Sequence, residues 1–401
     1  DHDATSWNTE MAADSIRGPV GTSVEVHIKR DGFDEPIAFD ITRAEVHVPA
    51  VSYGVMEGNI GYALLDRVAR NAAREMDEAL RALRGTRGLI IDLRRNPGGF
   101  LDESLMLADL FLKPGWTLAS TSQRVLGSDG RELETESYQD QWPARVPDLP
   151  VIILVDRYTA SGAEIFAGAL QDYDRALILG ERSFGKGLVQ TVRPLPFGRL
   201  LRFTTGEWQT PLGRSLHRPR DMEMRPLAED LDTFPRVSTP GGRSLLGAGG
   251  VFPDLAVEED TLTLAERNLL RTAGENEVPL GIRLTEFAFD VAKERREANL
   301  PPALDPARFD AFVEGLIAAG IPAETMNAEG VREYLAWRTR IAIAQRMDAV
   351  GPEADFLRER DPVLTEAVRL LESTASQAEL YAAVEAKVGQ SGSKTGNGGA
   401  G

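Results

Sequence analysis

The sequence predicts a mixed α/β protein that ends in an all-α region. Short apolar runs rich in β-branched residues, such as 151–155, are typical of buried strands. Segments with apolar residues at helical spacing follow these runs, as 160–173 follows the first example. From about residue 260 the helical spacing continues to about residue 388, which predicts a helical C-terminal region.

Composition excludes several classes of function. The 401 residues carry a net charge of −17, so the chain has no basic footprint for nucleic acid. The absence of cysteine excludes disulfides and thiolate catalysis, and only four histidines are present, so we expect no metal and no cofactor. No apolar run reaches 18 residues. Because the sequence begins at Asp1 without methionine, we expect a mature or truncated chain.

The stretch 151–190 is the strongest candidate for a site. A buried strand, 151–155, is followed by a turn and a helix, which places Ser161 in the first turn of that helix. Backbone N–H groups in a first helical turn lack intrahelical partners and point toward a nearby anion, such as a tetrahedral oxyanion. A second strand, 176–180, then leads to a loop that carries Lys186 between two glycines.

Lys186 is a candidate general base for Ser161. Phe184 is positioned to shield the amine from water, and desolvation lowers the pKa of a lysine toward working pH. A Ser-His-Asp triad needs a histidine, and none lies in 151–210. A Ser-Lys pair is therefore favoured, although His217 stays open as an alternative base.

A further strand, 88–93, runs into a Gly98-Gly99 turn and then a helix over 101–112. A Gly-Gly turn between a strand and a helix is common, and alone it is weak evidence for a function.

Four motifs resemble those of the C-terminal processing (tail-specific) serine peptidases. The motifs are Asp-Leu-Arg-Arg-Asn-Pro-Gly-Gly at 92–99, Thr-Ala-Ser-Gly-Ala-Glu-Ile at 159–165, Ala-Gly-Ala-Leu-Gln-Asp at 167–172 and Phe-Gly-Lys-Gly-Leu-Val-Gln at 184–190. Gly162 and Ala163 depart from the family's usual alanine and serine, and neither change removes a catalytic side chain.

The resemblance implies a mechanism and a set of site residues. By it, Ser161 is the nucleophile, Lys186 is the base and Gln190 orients the lysine. The N–H group of Gly162, together with that of Gly98 or Gly99, forms the oxyanion hole. The implied reaction is peptide-bond hydrolysis near the C-termini of envelope proteins through an acyl-enzyme, without a metal or cofactor.

The resemblance also implies an architecture and a location. Residues 49–260 are expected to form a catalytic domain of the crotonase/Clp-protease kind. Residues 1–48, with a helix at 8–16 and a strand at 23–29, resemble part of a PDZ domain that lacks its carboxylate-binding loop. Residues 261–389 are expected to form a helical cap or dimerisation module, and 390–401 a disordered tail. The family implies a location in the bacterial envelope, in the periplasm. It also implies C-terminal segments of unfolded or precursor proteins as substrates, and a homo-oligomer or an adaptor as a further partner.

Two other functions fit the same residues. One is a peptide-binding or scaffold protein with a latent protease domain. The other is an acyl-thioester enzyme of related fold that uses the glycine N–H pair without a nucleophile.

Overall fold

A computed structural model describes residues 4, 7–29, 33–127 and 130–394. The chain forms two compact units, Asp1–Pro49 and Ala50–Gly401. Among the described residues, no helix is long and apolar enough to cross a membrane.

The strands occur throughout the first 256 residues. They are β1 (Ser23–Ile28), β2 (Ile37–Thr42), β3 (Val51–Met56), β4 (Ile60–Leu65), β5 (Leu89–Asp92), β6 (Thr117–Gly127), β7 (Gly130–Gln139), β8 (Val151–Val155), β9 (Leu177–Gly180), β10 (Leu188–Pro194), β11 (Leu200–Gln209), β12 (Arg236–Ser238), β13 (Ser244–Leu246) and β14 (Leu255–Ala256).

Most of the helices follow residue 260. They are α1 (Thr9–Ile16), α2 (Ala72–Ala82), α3 (Leu101–Asp109), α4 (Gly162–Asp172), α5 (Leu264–Glu275), α6 (Leu280–Glu297), α7 (Pro306–Ala318), α8 (Ala323–Met326), α9 (Val331–Arg346), α10 (Val350–Arg358), α11 (Pro362–Ser373) and α12 (Gln377–Lys394).

A six-stranded sheet, in the order β14-β9-β8-β5-β4-β3, is the centre of the larger unit. Its neighbouring strands are parallel except for β3 and β4. Because Leu89 pairs with Val151, the carboxyl ends of β5 and β8 lie side by side. The loops that follow these two strands therefore meet at one edge of the sheet. A second, antiparallel sheet has the order β10-β11-β6-β7.

Both faces of the six-stranded sheet are covered by helices. On one face Ile91 and Ile153 belong to a core that includes residues of α2, α3 and α4. On the other face Ile152 and Leu154 pack with residues of α10, α11 and α12, among them Leu364. All residues of β5 and β8 are buried, and such strands need apolar cover on both sides.

The expected boundary at 260/261 stays a prediction. Helices α10–α12, which follow it in the sequence, cover one face of the six-stranded sheet and belong to the same compact unit. Helices α5–α9 have a core of their own, in which Leu284, Phe309, Val313 and Leu316 are buried. The helical spacing predicts one helix over about 361–388, but this segment forms two helices, α11 and α12, separated at residues 374–376.

The predicted tail from residue 390 is also corrected. Helix α12 continues to Lys394, and residues 395–401 lie outside the described residues. A helix that is already nucleated and packed can extend through glycine and serine at modest cost, and composition alone hides this.

The polar composition of 214–240 predicts a long surface loop, and residues 222–228 are exposed, but the start of the segment packs into the molecule. Arg214 is 1 % exposed and its Nη2 lies 2.6 Å from Asp172 Oδ1 on α4. The segment ends in a hairpin of β12 and β13. Polar composition predicted solvent exposure, but an arginine paired with a buried carboxylate can lie inside a fold.

In the smaller unit, β1 and β2 pair in an antiparallel hairpin and α1 has no buried residue. The predicted helix and first strand are present, and β2 is an additional strand.

Candidate active site

Ser161 lies between the end of β8 and the start of α4. Its backbone has φ 55° and ψ −119°, a conformation that residues with a side chain rarely adopt. The preceding turn is held by Asp156, whose Oδ1 accepts hydrogen bonds from the Thr159 and Arg95 N–H groups. Strain of this kind persists only where the surroundings fix it, and it is common at functional sites.

The lysine loop is covered by the segment 216–218. A Cβ atom on Gly185 would lie 2.5 Å from the Arg218 Cβ, and one on Gly187 would lie 2.7 Å from the His217 nitrogen. The glycines around Lys186 are therefore required by close packing as well as by the positive φ of Gly185. The sequence does not reveal this packing, because the polar composition of 214–240 predicts exposure.

One buried carboxylate ties the two parts of the site together. Glu164 is 0 % exposed, and its Oε2 accepts hydrogen bonds from the N–H groups of Ser161 (2.7 Å) and Lys186 (2.8 Å). Its Oε1 accepts from the Ser183 hydroxyl (2.5 Å) and the Gly185 N–H group (2.7 Å). Burial raises the pKa of the Glu164 carboxyl, and these four hydrogen bonds oppose that rise.

Sequence reasoning assigned no role to Glu164. The signal that could have found it is an acidic residue within an apolar helical pattern. All eleven residues of this helix are buried, and a buried carboxylate needs hydrogen-bond partners, which indicates a structural or site role.

The two candidate oxyanion glycines differ. The Gly98 N–H group donates to Asn96 Oδ1 at 2.8 Å, so it is already engaged. The Gly99 nitrogen lies 3.2 Å from the position of a Cβ on Gly162. Within the described ranges, neither the Gly99 nor the Gly162 N–H group has an acceptor in the protein. The geometry favours the pair Gly99 and Gly162 over the pair with Gly98.

Lys186 and Gln190 line a cavity of about 680 Å³. Ala160, the neighbour of Ser161, lines the same cavity, as does Pro97, the neighbour of Gly98. In the described part of the chain, no hydrogen bond joins the Ser161 hydroxyl to the Lys186 amine. Lys186 is half-buried and Gln190, on β10, is exposed.

His217, the alternative base, lies beside the lysine loop. Its backbone packs against Gly187 and its Nδ1 is buried without a hydrogen-bond partner among the described residues. Burial lowers the pKa of His217, with the nearby charges of Glu207 and Arg220 acting in opposite directions.

Residues 59–224 match the model of peptidase family S41. This segment belongs to peptidase family S41. It contains all six predicted site residues: Ser161, Lys186, Gln190, Gly98, Gly99 and Gly162. The expected recognition of a processing-peptidase family is thus confirmed for the S41 segment.

Known proteins are similar over the same part of the chain. A carboxy-terminal-processing protease of Bartonella bacilliformis is 37% identical over 215 residues, which is 51% of this chain and 47% of that protein. A probable CtpA-like serine protease of Staphylococcus epidermidis is 34% identical over 240 residues, 58% of this chain and 47% of that protein. The chain thus spans about half the length of these relatives.

A solved structure, the photosystem II D1 C-terminal processing protease, is 26% identical and covers 62% of this chain and 58% of its own, with a TM-score of 0.38.

Proposed function

We propose that the protein is a serine endopeptidase of the carboxyl-terminal processing type, which hydrolyses peptide bonds through a Ser-Lys acyl-enzyme. The observation that carries the proposal is the Glu164 carboxylate, which accepts hydrogen bonds from the backbones of both Ser161 and Lys186. A single rigid group thereby fixes the separation of the proposed nucleophile and the proposed base.

In the proposed reaction, neutral Lys186 accepts the Ser161 hydroxyl proton while the oxygen attacks the scissile carbonyl carbon. The N–H groups of Gly99 and Gly162 donate to the oxyanion that forms, and each such donor supplies about 3–4 kcal/mol of transition-state stabilisation. Lys186 then gives its proton to the leaving amine. Water, deprotonated by Lys186, hydrolyses the acyl-enzyme.

The lysine side chain must move before this reaction starts, because no hydrogen bond to Ser161 is present among the described residues. Hydrogen bonds between catalytic groups are often long without substrate and shorten in the complex. The Lys186 backbone is held by Glu164, so we propose that the movement is confined to the side chain. Gln190 lines the same cavity and is proposed to orient the amine.

The proposed substrates are C-terminal segments of unfolded or precursor proteins in the bacterial envelope, and the proposed compartment is the periplasm. The similarity to a carboxy-terminal-processing protease supports the choice of C-terminal segments. We further propose that residues 49–260 together with α10–α12 form a crotonase/Clp-like domain. Residues 1–48 are proposed to be part of a PDZ domain, and a homo-oligomer or an adaptor is the proposed partner.

A direct test uses a serine-reactive diphenyl phosphonate and intact-mass measurement. We expect one adduct on the wild-type chain, formed as Ser161 Oγ displaces phenol from phosphorus, and no adduct on Ser161→Ala. Cleavage of a fluorogenic peptide should be lost in both Ser161→Ala and Lys186→Ala. Hydrolysis of an acyl thioester that survives Ser161→Ala would contradict the proposal and favour the thioesterase alternative.

A latent protease that serves as a peptide-binding scaffold is the second candidate. The missing hydrogen bond between the Ser161 hydroxyl and the Lys186 amine favours it. Peptide binding without adduct formation, in wild type and Lys186→Ala alike, would select this function.

A further inference from the structure

A partly buried ion pair connects Arg94, which precedes the oxyanion loop of residues 95–99, to a helix outside the S41 segment. The Arg94 Nη1 lies 2.7 Å from Asp361 Oδ2, and the two side chains are 14% and 15% exposed. Asp361 also begins α11, because its Oδ1 accepts a hydrogen bond from the Leu364 N–H group at 2.9 Å.

The same guanidinium is fixed on its other side. Arg94 Nε and Nη2 donate to the two oxygens of Asp92 at 3.0 and 2.7 Å, and Tyr62 donates its hydroxyl to Asp92 at 2.9 Å. Arg94 is thus held between β5 and α11. The residues that follow Arg94 include Asn96 and Gly99. Asn96 Oδ1 accepts a hydrogen bond from the Gly98 N–H group.

From these contacts we propose that Asp361 is a positioning residue for the oxyanion loop and acts through Arg94. The proposal rests on the proposed peptidase function. Two-sided, desolvated pairing restricts a guanidinium more than one pair does. Loss of the Asp361 charge would free the Arg94 side chain on one side and loosen the loop that presents the Gly99 N–H group.

The chain offers a matched control. Asp305 also precedes a proline and caps a helix, with its Oδ1 accepting from the Arg308 N–H group at 3.0 Å. Asparagine caps helices about as well as aspartate. Asp361→Asn therefore keeps the helix cap and removes the negative charge that pairs with Arg94. Asp305→Asn also keeps a cap, but the charge that it removes belongs to a different helix, α7.

Hydrogen exchange of the full chain tests the positioning without substrate. We expect amides in 95–100 to exchange about tenfold faster in Asp361→Asn and Asp361→Ser, and unchanged in Asp305→Asn. With peptide, kcat per phosphonate-titrated site should fall several-fold in both Asp361 variants while KM stays within about twofold, because the lost contact acts in the transition state. Equal exchange in Asp361→Asn and Asp305→Asn would overturn the inference, even if no peptide is cleaved.

A second inference follows from the charges around the 680 Å³ cavity. Two arginines, Arg95 and Arg202, are among the nine residues that line it together with Lys186, and no acidic residue is. The whole chain carries −17, so this cluster is opposite in sign to the molecule. A cleft of one sign concentrates ligands of the other.

Arg95 and Arg202 form no ion pair within the described residues, although the Arg95 guanidinium lies 5.9 Å from the Tyr158 ring. We infer that the cavity accepts peptide segments with carboxylates near the scissile bond. This inference also rests on the proposed function, since it concerns the choice of substrate. Peptide-binding measurements test it separately from catalysis.

The probes are three fluorescein-labelled ten-residue peptides that differ only in two central residues, both Asp, Ala or Lys. On the Ser161→Ala chain at 50 mM salt, we expect the Asp peptide to bind about tenfold more tightly than the Lys peptide, with a smaller ratio at higher salt. Arg95→Ala and Arg202→Ala should each reduce that ratio.

Arg157→Ala is the matched control, because Arg157 lies 5.2 Å from the same Tyr158 ring but does not line the cavity. It should leave the ratio unchanged. Equal affinities of the Asp and Lys peptides, or tighter binding of the Lys peptide, would overturn the inference. Phosphonate labelling of the wild type separately reports whether the proposed function stands.

Discussion

The nucleophile and the lysine are held in different ways. Ser161 joins a wholly buried strand to a helix whose residues are all buried, so the sheet and its core fix it. Lys186 lies on a loop that is half-exposed and held by polar contacts from distant residues. Besides Glu164, these include Trp208 Nε1, which donates to the Lys186 carbonyl at 3.1 Å, and Arg220, which donates to the Phe184 carbonyl at 2.6 Å.

This difference indicates where assembly of the site varies. Moving Ser161 requires disruption of the core, whereas moving the Lys186 loop requires loss of its hydrogen bonds and of its packing against 216–218. Predictions that act separately on the two sides test the comparison.

Removal of either reacting group should have the largest effect. We expect Lys186→Ala and Ser161→Ala each to lower kcat more than about 10³-fold, since groups that act as a unit are lost together. The unfolding midpoint in urea should change little. Lys113→Ala, a lysine beside Trp116, is the control and should keep full activity. Substantial turnover by Lys186→Ala would show that the lysine is not the base.

Glu164→Gln should affect both sides at once. The glutamine side chain keeps the shape of glutamate, but it offers one acceptor oxygen where the carboxylate offers two. We therefore expect kcat to fall about 10- to 100-fold. The free energy of unfolding should fall by about 1–3 kcal/mol. Glu75→Gln is a matched control: Glu75 Oε2 accepts from the Ala50 and Val51 N–H groups, away from the lysine loop. It should lose stability but not kcat per titrated site.

Gly187→Ala should disturb only the lysine side. The new Cβ would lie 2.7 Å from the His217 nitrogen, so the loop or the 216–218 segment must shift. We expect a several-fold loss of kcat with an unchanged rate of hydrogen exchange in α4. Gly315→Ala, which has open space around it, should be neutral or stabilising. Equal effects on α4 and on the lysine loop would contradict the proposed separation.

The dependence of kcat/KM on pH distinguishes Lys186 from His217 as the base, and it requires no change to the protein. Burial lowers the pKa of His217 from its ordinary 6.5, so a histidine base would be fully neutral, and activity constant, above about pH 7. A lysine base loses its proton as pH rises, so kcat/KM should still increase there. His217→Asn should change kcat/KM by less than about threefold, and a flat profile above pH 7 with a large His217→Asn effect would favour histidine.

Some elements were visible in the sequence because their signals are local. The apolar run at 151–155 is a strand with those bounds, and Ser161 does begin a helix. The sequence does not predict strand β3, helix α10 or the packing of 216–218 on the Lys186 loop. Arg214 shows the reason: its partner Asp172 lies 42 residues away, and no spacing rule connects them.

The sequence alone determined the residue types, their order and the strand–turn–helix frame around Ser161, because these depend on periodicity and turn chemistry over a few residues. The tertiary structure decided which glycine N–H group stays free, which carboxylate joins Ser161 to Lys186, and that α10–α12 cover the second face of the sheet. The last two outcomes depend on contacts between segments that are distant in the sequence, whose register is set only when the sheet and its two helical layers pack together.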